Sequence, residues 1–125
     1  MIKEILIVGL GSGIGGMARY IIGRIIAATG STGFPWATLT VNLLGCLIIG
    51  LVFGLVAYRG SMPDYVRLLL TVGFCGGFTT FSTFSHECYL MFTQGHTTTA
   101  AIYMSASLIG GLCLVFTGYW LVRQL

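Results

Sequence analysis

The stretch Gly73-Phe74-Cys75-Gly76-Gly77-Phe78-Thr79-Thr80-Phe81-Ser82-Thr83-Phe84-Ser85-His86-Glu87 decides how the rest of this sequence is read. It lies within an apolar segment, about residues 65–92, that is long enough to cross a bilayer. Adjacent glycines followed by two β-branched threonines nevertheless make a poor helix interior. In the hydrocarbon of a membrane, non-helical backbone persists only where protein buries it or where it lines a cavity. Half-helices flanking such a break offer carbonyls to cations and N-termini to anions. An interruption at Gly76–Thr80 is therefore expected to be an ion site.

The remainder of the chain fits that setting. Of its 125 residues 56% are hydrophobic and 7% charged, whereas a soluble domain carries roughly 25% charged residues. Three acids and six bases cannot cover a globular surface, so lipid must do most of the covering. The sequence divides into four apolar segments, at about 4–28, 35–58, 65–92 and 97–122, each near the ~20 residues a helical crossing needs. This predicts an all-α membrane protein of four spans, with 1–125 forming one integral membrane domain. Turn formers separate the spans at Thr29–Phe34, Arg59–Asp64 and Gln94–His96. Pro35 suits a first helical turn and Trp36 an interfacial belt. The first segment follows Lys3 as a signal peptide would. Its apolar stretch runs past Gly16 without a small-residue cleavage motif before Arg19, so it is read as a retained span.

Four spans place both termini on one side, with Lys3, Arg59, Arg67 and Arg123 there and at most Arg19 and Arg24 opposite. So weak a bias permits insertion in both orientations, and hence an antiparallel pair. The net charge of +3 is too scattered for nucleic acid. Cys46, Cys75, Cys88 and Cys113 lack zinc or disulfide spacing and read as small apolar residues at helix contacts. Gly9 and Gly13, Gly11 and Gly15, Gly50 and Gly54, and Gly73 and Gly77 fit the small-xxx-small pattern of close helix packing. Gly11–Gly16 also satisfies G-x-G-x-x-G, but neither a βαβ unit nor a following acidic residue accompanies it, which excludes a dinucleotide site.

Polar groups inside a membrane helix are costly and usually face the bundle interior or a water-filled path. Thr38 and Asn42 share a helical face; Asn42 is either an interhelical hydrogen-bond partner or a donor lining a polar path. Tyr103 and Ser107 stand four apart, with Gly111 on the same face, while Ser105 lies elsewhere and can bond back to its own helix. Phe78, Phe81 and Phe84 recur every three residues as one aromatic stripe. On spacing alone these are packing aromatics; alternatively their positive ring edges hold an anion. Arg19 lies some 13 Å along the first helix from its far end at ~1.5 Å per residue, where it snorkels or lines a vestibule. His86 and Glu87 fall near the end of the third span. No nucleophile–base pair or metal-ligand cluster is present, so no enzyme chemistry is expected.

These motifs together resemble the Fluc family of fluoride channels, also called the CrcB family, over essentially the whole chain. The resemblance rests on Gly11-Ser12-Gly13-Ile14-Gly15-Gly16-Met17-Ala18-Arg19-Tyr20, on Phe34-Pro35 with Thr38-Leu39-x-Val41-Asn42-x-x-Gly45, and above all on Gly73–Glu87. It implies a dual-topology homodimer with two antiparallel pores in the bacterial inner membrane, passively exporting fluoride. By position, Phe81 and Phe84 are similar to the phenylalanines that touch the ion, and Asn42 to the pore asparagine. Thr38, Tyr103 and Ser107 are similar to the polar track, and Arg19 to the arginine of the first motif. The main-chain carbonyls of Gly76 and Thr79 match sodium ligands (a structural Na⁺) at the dimer axis. Ser12, Gly16, Phe78 and Gly111 depart from the common pattern.

Two other readings compete with a channel. A proton-coupled small multidrug-type exporter needs a carboxylate within the membrane, whereas Glu4 lies at the chain end and Glu87 near a helix end. A purely structural membrane subunit leaves the polar track unexplained.

Overall fold

A computed structural model of the chain describes Met1–Leu125 and is wholly helical. Four helical spans are long and apolar enough to cross a membrane: Ile2–Ala28 (α1), Trp36–Arg59 (α2), the composite Asp64–Thr93, and Thr97–Gln124 (α6). Leu6 and Leu10 on α1, and Leu108, Ile109, Leu112 and Phe116 on α6, are each more than half exposed. Such outward apolar faces suit a lipid surround. The connections are short, and all three turn on glycines at positive φ: Gly30 (75°) and Gly33 (88°), Gly60 (93°), and Gly95 (81°).

The third span is built in pieces. It opens after Pro63 with a single α-helical turn, Asp64–Leu68 (α3), where Arg67 pairs with Asp64 at 3.1 Å. The backbone then widens into a π-helix over Leu69–Cys75, returns to one α-turn over Gly76–Phe78 (α4), and breaks. Thr79 (φ −90°, ψ 161°) and Thr80 (φ −151°, ψ 116°) are extended. The helix restarts over Phe81–Thr93 (α5), its first turn capped by the Thr80 hydroxyl, which accepts from the Thr83 N–H at 3.2 Å.

The interruption is thus narrower than the expected Gly76–Thr80, because both glycines stay helical. Their lack of side chains serves contact instead. A Cβ on Gly77 would lie 2.8 Å from Ser12 Cα, and one on Gly11 would lie 2.6 Å from the Leu69 carbonyl oxygen. Gly15 is equally crowded by Phe74. The π-helix was not anticipated. Within it, the Gly73 carbonyl receives the Ser12 hydroxyl at 3.2 Å, and the Thr71 hydroxyl reaches back to the Arg67 carbonyl at 2.8 Å.

Two helix pairs result. α1 lies against the π segment and α4, while α2 lies against α6. The second contact is as close as the first: a Cβ on Gly118 would sit 2.6 Å from the Leu51 backbone nitrogen, and one on Gly50 would run into Val115. Gly9 and Gly13, by contrast, face nothing within 4 Å in this chain. A small core of Leu39, Phe84, Cys88 and Tyr103 joins α2, α5 and α6.

Candidate functional site

The broken backbone has to find partners for groups a continuous helix would satisfy internally. Asn42, in the first third of α2, supplies two. Its Oδ1 accepts the Thr80 N–H at 2.8 Å, and its Nδ2 donates to the Thr80 carbonyl at 3.1 Å. The N–H partner fixes which end of the carboxamide is oxygen, and one Nδ2–H remains uncommitted. Arg19 on α1 donates from Nε to the Gly77 carbonyl at 3.1 Å, setting a cation at the C-terminal end of the half-helix where the dipole favours it.

These exchanges release other carbonyls. In an unbroken helix Gly76 would receive the Thr80 N–H and Thr79 would receive the Thr83 N–H. Here the first goes to Asn42 and the second to the Thr80 hydroxyl. The Gly76 and Thr79 carbonyls are thereby left as free oxygen donors, the ligand type a hard cation prefers. Gly76 is exposed and Thr79 half-buried on the surface of the single chain. Two carbonyls are too few to enclose an ion, so the donor set fits sodium only if a second copy contributes its own pair.

On the other side of the break lies a cavity of about 450 Å³, lined among others by Asn42, Thr80, Phe81, Phe84 and Ser107. Gly76 and Thr79 border it as well. Ser107 Oγ is buried in this lining without a hydrogen-bond partner. The rings of Phe81 and Phe84 are tilted 39° to one another with centroids 5.8 Å apart. Phe81 is 77% exposed and Phe84 only 8%, so one ring lies open on the surface of the single chain while the other is packed.

The expected stripe of three phenylalanines does not form. Phe78 precedes the break, is buried, and stacks on Phe74 with centroids 5.2 Å apart. The extended residues Thr79 and Thr80 change the helical phase, so the three-residue spacing carries a shared face from Phe81 to Phe84 and not back to Phe78.

The remaining candidates fall in neighbouring positions. Tyr103 is completely buried, packs on Phe84 at 5.0 Å and edge-on to Phe34 at 5.5 Å, and donates its hydroxyl to Glu87 Oε1 at 3.0 Å. Thr38 lines a second, smaller cavity of about 130 Å³ with Arg19, Thr80 and Thr83. Thr80 borders both cavities. The structure therefore gathers Asn42, Phe81, Phe84 and Ser107 at one cavity and Arg19 with Thr38 at the other, with Tyr103 behind Phe84. Glu87 as the partner of Tyr103 was missed; its position on the same helical side as Phe84, three residues earlier, was the available signal.

The fold and site define an all-helical, multi-span membrane protein whose interrupted span borders two cavities lined by hydroxyls, an amide and a guanidinium. Residues 6–119 match the family described as CrcB-like protein, Camphor Resistance (CrcB). The chain is 43% identical over 116 residues to the fluoride-specific ion channel FluC of Sphingopyxis alaskensis, covering 93% of this chain and 92% of that one. It is 42% identical over 123 residues to the FluC of Chlorobaculum tepidum, covering 98% and 97%. To the FluC of Chloroflexus aurantiacus it is 43% identical over 121 residues, covering 97% and 96%. The chain belongs to the CrcB family.

Proposed function

We propose that this protein is a fluoride-selective channel that lets fluoride leave the cell passively and so confers fluoride resistance. The observation that carries the reading is the cavity beside the break, which is lined by Phe81, Phe84 and hydrogen-bond donors but by no cationic side chain. Fluoride holds its water tightly, so a pore must replace that water with donors of its own. The uncommitted Nδ2–H of Asn42 and the unpartnered Ser107 hydroxyl are such donors. The edges of Phe81 and Phe84 supply positive potential without a charge that would trap the ion. Arg19 and Thr38, at the smaller cavity, would form the vestibule from which the anion enters. Tyr103 would continue the donor track beyond Phe84.

In this reading the working unit is an antiparallel homodimer in the bacterial inner membrane. The released carbonyls of Gly76 and Thr79 would hold a sodium ion at the axis together with the same pair from the second copy. Bound there, sodium would supply fixed positive charge that joins the two interrupted spans. The chain is a conduit, with no residue set for bond-making chemistry.

A fluoride-electrode measurement on liposomes containing the purified protein tests the reading. Rapid fluoride efflux with chloride retained is expected. Efflux equal to that of empty liposomes, or equal passage of chloride, would overturn it. The exporter alternative predicts instead that a pH gradient drives uptake of a cationic drug.

A further inference from the structure

We infer that Asn42 is the residue that keeps the cation site open, so that one carboxamide serves both the anion cavity and the sodium ligands. The inference rests on the sodium reading above and concerns how this chain's own backbone is held in readiness for the ion.

The argument follows the Thr80 N–H. If it bonds to the Gly76 carbonyl, the break closes by one residue, and that carbonyl turns along the helix with one lone pair committed to the bond. It bonds instead to Asn42 Oδ1 at 2.8 Å, while Asn42 Nδ2 holds the Thr80 carbonyl at 3.1 Å. The two bonds together clamp Thr80 in extended backbone (φ −151°, ψ 116°), with Thr79 extended before it. Without the clamp, both Thr80 groups are left unpaired in a part-buried site, and a buried polar group without a partner is unstable. The simplest way to re-pair the N–H is to rotate Thr79 back into the helical region and return the bond to Gly76. Losing Asn42 therefore draws a cation ligand back into the helix. The same side chain borders the 450 Å³ cavity with Phe81, Phe84 and Ser107, so the two sites are linked through a single amide.

Two substitutions separate this role from that of an anion donor. In Asn42→Ala both hydrogen bonds go. In Asn42→Asp the carboxylate loses the bond to the Thr80 carbonyl but still accepts the Thr80 N–H, the bond that keeps the Gly76 carbonyl free. That carboxylate cannot donate to an anion, and it places negative charge in the anion's path. The experiment measures the melting temperature of the detergent-solubilised full-length protein as sodium replaces N-methyl-glucamine, alongside fluoride efflux from liposomes. The parent is expected to gain stability from sodium. Asn42→Asp should keep that sodium dependence while losing efflux. Asn42→Ala should lose efflux and require at least about tenfold more sodium, equivalent to about 1.4 kcal/mol.

A parent protein indifferent to sodium would overturn the sodium reading and the inference together. A sodium-responsive parent with an equally responsive Asn42→Ala would overturn the inference alone, as would an Asn42→Asp protein that has lost the response. Should Asn42→Ala fail to assemble, the Asn42→Asp comparison still decides.

Discussion

The Tyr103 hydroxyl donates to Glu87 Oε1 at 3.0 Å from a position with no solvent exposure at all. One face of the same ring lies against Phe84, whose own ring borders the larger cavity. A carboxylate at the middle of α5 is thus mechanically connected, through one buried ring, to an aromatic of the proposed pore. Tyr103→Phe keeps the ring and removes the donor. It is expected to cost about 1–3 kcal/mol, the range for a hydrogen bond to a charged group or for a partner left unsatisfied. Thermal unfolding in detergent checks the stability, and fluoride efflux should fall with it. Unchanged efflux would remove the hydroxyl from the conduction path.

Phe81 and Phe84 should respond differently to the same replacement. Phe81 is mostly exposed, so Phe81→Ile should leave the melting temperature and dimer assembly nearly unchanged while severely slowing efflux. Phe84 is part of the small core with Leu39, Cys88 and Tyr103. Phe84→Ile should therefore slow efflux and also destabilise by about 1–3 kcal/mol. Normal efflux in Phe81→Ile would rule out the ring-edge mechanism.

The glycines divide sharply by neighbourhood. Gly77→Ala puts a methyl 2.8 Å from Ser12 Cα, backbone against backbone, where neither side can yield without moving a helix. A loss of about 1–3 kcal/mol or more is expected from such overpacking, read out as a lower melting temperature. Gly9→Ala meets nothing within 4 Å in this chain and should be neutral or stabilising by up to about 1 kcal/mol. If Gly9→Ala instead lowers the oligomeric mass measured by size-exclusion chromatography, a second copy packs on that face.

Arg19 tests geometry against charge. Its Nε donates to the last helical turn before the break. A lysine keeps the charge but has no planar donor fork. Arg19→Lys is therefore expected to behave like Arg19→Ala, with slowed efflux and a lower melting temperature. Full recovery in the lysine protein would show that charge alone matters there.

Much of this architecture could be read from the sequence, for a physical reason. Length and apolarity alone limit what can cross a membrane, so four spans and their turns follow without knowledge of any contact. The interruption was also visible, since Thr79-Thr80 after Gly76-Gly77 is poor helix by local propensity. The width of the break was not visible, because the glycines' reason for being there is Ser12 on another helix, 65 positions before Gly77 in a distinct span. The π-helix was hidden for a similar cause: Leu69-Leu70-Thr71-Val72 has no composition that distinguishes a wide turn from an ordinary one. Phe78 was wrongly grouped with Phe81 and Phe84 because periodicity assumes one unbroken phase. For Asn42 the sequence leaves open an interhelical partner or a donor lining a path, and that it bonds the Thr80 backbone, 38 residues on, is a tertiary fact that spacing does not encode.

The glycine-lined contacts have a mechanical corollary. α1 and the first half of the third span touch backbone to backbone, and so do α2 and α6, so neither pair can flex internally without a collision. The chain behaves as two stiff slabs, and the larger cavity lies along the seam between them. Widening or narrowing that seam then takes a sliding of one slab past the other, a shear, and the Asn42–Thr80 clamp is the rivet that limits its travel.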